Sequence, residues 1–263
     1  MTIDGSQAAG PPANQAGLAE RATPPDSPQN GIEVVGLRKS FGPLPVLRGV
    51  DLEVLPGERV LLVGPNGAGK TTLIKILATL LRPTAGYARV AGFDPVHQGD
   101  MVRRCVGLVS HQTFLYGELT VGENLAFYAR MYGVEDGGRC RELLSLVGLS
   151  DRADKQTRTL SRGMQQRLAL ARVVLHRPPV LLLDEPDAGL DQQGVTVLDG
   201  MLRDAAGSGC AILFTSHNLQ RGLDMASRVA VLSKGRIVFQ APREQLNAGD
   251  FEEAYRRYIG AAS

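Results

Sequence analysis

Apolar residues come in short bursts along this chain, separated by glycine, proline or charge. IEVVGL, VDLEV and RVLLV, between Ile32 and Val63, are rich in β-branched residues and predict strands. Further on, VGLVS, VLLLD and AILFTS are almost uninterrupted apolar runs, the pattern of strands covered on both faces. Helical spacing lies between them, in TTLIKILATLL after the third strand and in QRLALARVVL, for which Ser161 is a candidate N-cap. From about Thr113 to Arg167 the strand-like bursts stop, and ELTVGENLAFYARMY and RCRELLSLVGL carry helical spacing instead. This order predicts an α/β core, a mainly parallel sheet covered by helices, with a helical subdomain inserted at about residues 113–167. Near the end, RVAVLS and RIVFQ flank Lys234 and Gly235 as a hairpin, followed by a closing helix near DFEEAYRRYI.

Residues 1–31 break the pattern. They are rich in Pro, Ala, Gly, Gln and Ser and hold almost no large apolar groups, so burial cannot offset the entropy of ordering them, and a disordered tail is expected before a domain spanning residues 32–263. Over the 263 residues, 43% hydrophobic and 21% charged content is ordinary for a globular protein. The net charge of +2, with signs mixed, provides no basic stripe for nucleic acid. Cys105, Cys140 and Cys210 are widely spaced and form no CxxC or Cys/His pattern, which predicts reduced thiols. No apolar run approaches the roughly 20 residues of a membrane span, and no signal peptide is evident, so a cytoplasmic chain is expected.

The most specific local pattern is GPNGAGKTT, comprising Gly64, Pro65, Asn66, Gly67, Ala68, Gly69, Lys70, Thr71 and Thr72. It follows a strand and opens a helix, the setting in which a glycine-rich turn exposes successive N–H groups to phosphate oxygens at a helix N-terminus. Lys70 would add positive charge at the β- and γ-phosphates, and the Thr71 hydroxyl would ligate Mg²⁺. A turn without chemical role is the competing reading, and the strand-loop-helix context argues against it.

Two further runs end in polar residues. VLLLDEPDAGLD delivers Asp184 to the end of a buried strand, where a carboxylate holds Mg²⁺ through its waters, while Glu185 is placed to polarise an attacking water. Solvated loop charges are the alternative for an isolated acidic pair. AILFTSH places His217 just past another strand, where it either orients a γ-phosphate, water and Glu185 or serves only as a structural hydrogen-bonding residue.

Taken in order, GPNGAGKTT, LSRGMQQR, VLLLDEPDAGLD and TSH resemble the nucleotide-binding subunit of ABC transporters, over Ile32 to about Gln240. The resemblance implies a P-loop NTPase fold with an antiparallel β subdomain and the inserted helical subdomain. It also implies an ATPase with ATP and Mg²⁺ as cofactors, a second ATPase subunit, most simply a homodimer partner, and integral membrane permease subunits. LSRGMQQR matches the family's signature motif, so Ser161 and Gly163 would contact the γ-phosphate bound to the other subunit; Arg162 and Met164 depart from the usual residues there. The resemblance further gives Phe41 a place stacked on adenine, Gln112 a role sensing Mg²⁺ and the attacking water, and Asp191 a link between the two sites. Bland alternatives are a core phenylalanine, a strand-end cap and a helix cap respectively.

Phe114, Leu115 and Tyr116 lie at the junction that in this family receives a helix from the membrane subunit; they are candidates for that groove, with core residues as the alternative. SHQTFLYGELTVGENLAFYARMYGV, together with LSRGMQQRLALARVVLHRP, resembles the ATP-binding subunit of the heme exporter of cytochrome c maturation. Against that stands a general ABC-2-type exporter of drugs, lipids or polysaccharides. Non-transport relatives acting on DNA or ribosomes would carry a long coiled-coil insertion or two fused ATPase units, and neither is visible. A nucleotide-binding regulator without turnover is disfavoured by the presence of Lys70, Asp184, Glu185 and His217.

Overall fold

The computed structural model describes residues 31–110, 112–135, 138–246, 251 and 255. The expected tail lies outside the described residues save Gly31, and so does all of the expected closing helix except Phe251 and Tyr255.

Two sheets organise the molecule. The smaller pairs β1 (Ile32–Phe41) antiparallel with β2 (Leu44–Val54) on one side and β4 (Ala85–Val90) on the other. The larger has six strands in the order β5 (Val106–Val109), β6 (Val180–Leu183), β7 (Ala211–Phe214), β3 (Arg59–Val63), β8 (Arg228–Ser233) and β9 (Arg236–Pro242). Its first five strands run parallel, and β9 turns back antiparallel on β8 through Lys234 and Gly235. The hairpin and the six predicted strand runs are thus in place. β4 was not anticipated; its first three residues are exposed, and only Ala88 and Val90 are buried.

The unbroken apolar runs have a direct cause in packing. Alternate residues of β3, β6 and β7 enter two separate cores. Leu61, Val63, Leu181, Leu183, Ile212 and Phe214 face one, and Val60, Leu62, Val180, Leu182, Ala211 and Leu213 face the other. The second core also takes Leu73, Ile74, Ile76 and Leu77 of α1 (Lys70–Leu77) and the inner residues of the antiparallel sheet. Helix α1 is shorter than its apolar spacing predicted: Thr79 adopts a left-handed φ of +65° just after it, and the chain turns away before Leu81.

After α2 (Gly99–Cys105) and β5, the described residues before β6 hold only an isolated bridge of strand type, between Thr120 and Gln156. In this stretch α3 (Val121–Tyr132) begins with a capping box in which Thr120 and Glu123 satisfy each other's backbone N–H groups. α4 (Arg139–Leu146) and α5 (Arg162–Val174) complete the group and pack into the first core. α6 (Gln192–Gly207) and α7 (Leu219–Met225) then cover β7 and β3 on that same side. Among the described residues no helix is long and apolar enough to cross a membrane.

Candidate functional site

The phosphate loop joins β3 to α1. Gly69 caps α1 with a φ of +108°, and a Cβ there would meet Leu47 Cδ2 at 2.6 Å, so glycine is required both for the turn and for the close approach. Lys70 Nζ donates to Gly64 O at 2.6 Å and Pro65 O at 3.1 Å, which curls the loop around its own ammonium. Burial lowers the Lys70 pKa, while the charges of Glu185 and Asp184 act to raise it. A phosphate in the loop would supply the same favourable charge more directly.

β7 lies between β3 and β6, so Asp184 is two strands away from the loop and the β-strands alone do not bring them together. Hydrogen bonds do. Thr71 Oγ1 donates to Asp184 Oδ2 at 2.7 Å, and Thr215 Oγ1, at the end of the intervening β7, donates to Asp184 Oδ1 at 2.9 Å. The Thr215 hydroxyl also accepts from Glu185 N at 2.9 Å, fixing both acids from one side chain. Thr215 is fully buried and was missed in the sequence; its signal was an apolar run ending in a hydroxyl beside TSH. A threonine hydroxyl beside a carboxylate fits Mg²⁺, which is held by one or two protein oxygens together with phosphate oxygens and waters. Thr71 and Asp184 are the residues that would hold it.

Glu185 departs from its neighbour in backbone as well as in direction. Its φ is +58°, a left-handed conformation costing a non-glycine residue about 1–3 kcal/mol. Its carboxylate is mostly buried and sits 2.6 Å from Nε2 of the exposed His217. Glu185, Gln112, Thr113, Phe114, Arg162 and Gln165 share the lining of one cleft of about 720 Å³. The pairing of a carboxylate with an imidazole at the edge of an open cleft suits a base that activates water and a partner that orients it.

Two candidates for a second chain's site are helix caps in this one. Ser161 Oγ accepts from Met164 N at 3.3 Å at the exposed start of α5, and Asp191 Oδ1 accepts from Gly194 N at 2.8 Å at the start of α6. Gly163 lies where a Cβ would come within 2.9 Å of Gly189 O, in the loop leading to Asp191. These caps satisfy the bland reading while leaving a serine hydroxyl and a helix N-terminus open to solvent. Phe41 is no core residue: it is 47% exposed at the end of β1, with Lys39 Nζ 4.9 Å over its ring. Phe114 and Tyr116 are exposed too, whereas Leu115 packs partly against the core.

Residues 47–188 match the ABC transporter family. The chain belongs to the ABC transporter ATP-binding family. It is 37% identical to the daunorubicin resistance ATP-binding protein DrrA3 of Streptomyces coeruleorubidus, over 82% of this chain and 70% of that protein. It is 35% identical to the Nod factor export ATP-binding protein I of Paraburkholderia xenovorans, over 85% and 74%. A sulfate/thiosulfate import ATP-binding protein of Caulobacter vibrioides is 36% identical over 86% and 71%. A bacterial ABC transporter cassette solved as a dimer shares the fold with a TM-score of 0.73 and 25% identity, over 82% of this chain and all of that one. This ABC subunit binds and hydrolyses ATP. None of these names is that of a heme exporter, so the finer expectation of heme export gains nothing from them.

Proposed function

We propose that this subunit drives an ABC-2-type exporter for a drug-like, lipid or polysaccharide molecule, working at the inner face of the membrane through a permease. Daunorubicin resistance and Nod factor export among its relatives support that reading over heme export, although the shared ATPase chemistry also serves importers. The observation that carries the catalytic half is the convergence of Thr71 on Asp184 and of His217 on Glu185, at 2.7 and 2.6 Å.

In this reading the glycine-rich backbone and Lys70 bind the β- and γ-phosphates, and Thr71 and Asp184 hold Mg²⁺, which neutralises phosphate charge when bound. Phe41 stacks on the adenine, and Gln112 reaches the Mg²⁺ and the water. Glu185 takes a proton from the attacking water, with His217 holding its carboxylate in line. Each signature and each phosphate loop occurs once per chain, so the sandwiched ATP needs a second copy. Ser161, Gly163 and the start of α5 would close over the partner's γ-phosphate, and Asp191 would join the two sites. Closure on ATP and reopening after phosphate loss transmit work to the permease.

Glu185→Gln protein, captured with ATP from membranes of its own host, tests the cargo class. A co-purifying six-helix permease without heme absorbance supports the exporter. Small membrane proteins carrying heme would return the assignment to cytochrome c maturation.

A further inference from the structure

Phe114, two residues beyond Gln112, is a bulky side chain held at a φ of +55°. An aromatic residue does not stay in the left-handed region unless its surroundings impose it. Two helices supply that constraint here. From α3, the Tyr128 hydroxyl donates to Phe114 O, and Asn124, fully buried, accepts from Tyr116 N at 2.8 Å and donates to Tyr116 O at 2.9 Å. From α5, the Arg172 guanidinium lies 5.6 Å over the Phe114 ring and 5.1 Å over the Tyr128 ring, and donates to Leu108 O of β5 at 2.7 Å. Arg172 is only 5% exposed, so this cation is committed to aromatic faces and one carbonyl with no carboxylate paired to it among the described residues.

We infer that Tyr128 and Arg172 are positioning residues for ATP hydrolysis: together they keep Phe114 in its left-handed conformation and so direct Gln112 into the cleft that Glu185 lines. The inference rests on Gln112 acting in the hydrolytic site. Tyr128 and Arg172, neither of which lines the cleft, thereby decide where a reacting-site side chain enters. Arg172 also stands on the helix whose first residues carry the signature, so the strand β5, the Gln112 segment and the signature helix are tied at one guanidinium. Freed of the clamp, Phe114 would relax toward negative φ and turn the preceding backbone, with Gln112, away from the cleft.

Tyr128→Phe removes one hydroxyl and keeps the ring, and Arg172→Lys keeps the cation, so both are measured in the full-length chain beside Arg172→Met. Steady-state ATPase rates with Mg²⁺, nucleotide affinity and thermal midpoint are followed, together with the Gln112→Ala and Gln112→Ala/Tyr128→Phe proteins. Tyr128→Phe should lower kcat roughly 10- to 100-fold, the scale of a misplacement near 1 Å, with KM for ATP within about two-fold. Arg172→Lys should retain more activity than Arg172→Met. The decisive reading is the double variant, which should be no slower than Gln112→Ala alone, because Tyr128 acts through Gln112. Wild-type kcat in Tyr128→Phe, or losses that multiply independently with Gln112→Ala, would overturn the positioning role and leave the site intact. Wild-type turnover by Gln112→Ala itself would remove Gln112 from the site and the inference with it.

Discussion

The phosphate loop and the cleft around Gln112 achieve unusual backbone shapes by opposite means. In the loop, the left-handed positions Gly67 and Gly69 are glycines, and Lys70 closes the turn on carbonyls five and six residues away. Around the cleft, Phe114 and Glu185 take left-handed φ without being glycine, and each is held by residues far off in sequence: Tyr128 and Arg172 for one, Thr215 for the other. Glycine makes such a conformation locally cheap. Contacts make it conditional, and a conformation that depends on contacts changes when the contacts move. The left-handed turns at Gly67 and Gly69 need no outside support, whereas those at Phe114 and Glu185 rest on contacts from distant segments.

That contrast breaks first at Glu185. Glu185→Gln should slow single-turnover hydrolysis by about 10²–10⁴ while nucleotide affinity stays near wild type and an ATP-dependent dimer accumulates on size exclusion. Hydrolysis at the wild-type rate would refute Glu185 as the base. Lys70→Ala attacks the other region. Loss of charge-assisted hydrogen bonds worth about 1.5–3 kcal/mol should weaken nucleotide binding roughly 10- to 100-fold by titration calorimetry. Unchanged affinity would detach the loop from the phosphates.

Ser161→Ala distinguishes chain from assembly. Removing the cap costs the fold about 1 kcal/mol, seen as a small drop in thermal midpoint, and nucleotide binding by the single chain should be spared. ATP-dependent dimerisation should fall; if it does not, α5 caps itself and nothing more.

A pH dependence of stability lies outside both regions. The His176 ring stacks on Tyr132 at 3.8 Å, and burial, reinforced by the Arg172 charge, lowers its pKa from 6.5 to about 4. The unfolded chain therefore binds this proton first, and stability contributed by a neutral His176 is lost as pH falls from about 6.5 toward about 4. His176→Phe, which keeps a ring against Tyr132, should flatten the urea midpoint across that window relative to wild type.

Much of the core was legible because its causes are local. Runs such as VLLL and AILF announce strands covered on both faces, and Val180–Leu183 and Ala211–Phe214 are buried throughout. Asp184, Glu185 and His217 were visible as polar residues after such runs. Thr215 was not singled out, since one hydroxyl among apolar neighbours looks like any strand end until Asp184 and Glu185 are found on it. Asn124, Tyr128 and Arg172 were hidden more completely: on helical spacing they belong to the inner faces of α3 and α5, where a core residue and a residue gripping Phe114 look alike.

The strand and helix runs, the glycine-rich turn before α1 and the charged groups after β6 and β7 can be read along the chain, because glycine placement, apolar periodicity and side-chain chemistry act over a few residues. Strand order and long-range contacts place β7 between the loop and Asp184, bridge that gap with hydroxyls and hold Phe114 from two helices. Those outcomes depend on strand order and on contacts between segments from 14 to 113 residues apart, as in Tyr128 with Phe114 and Asp184 with Thr71. No local pattern encodes such distances.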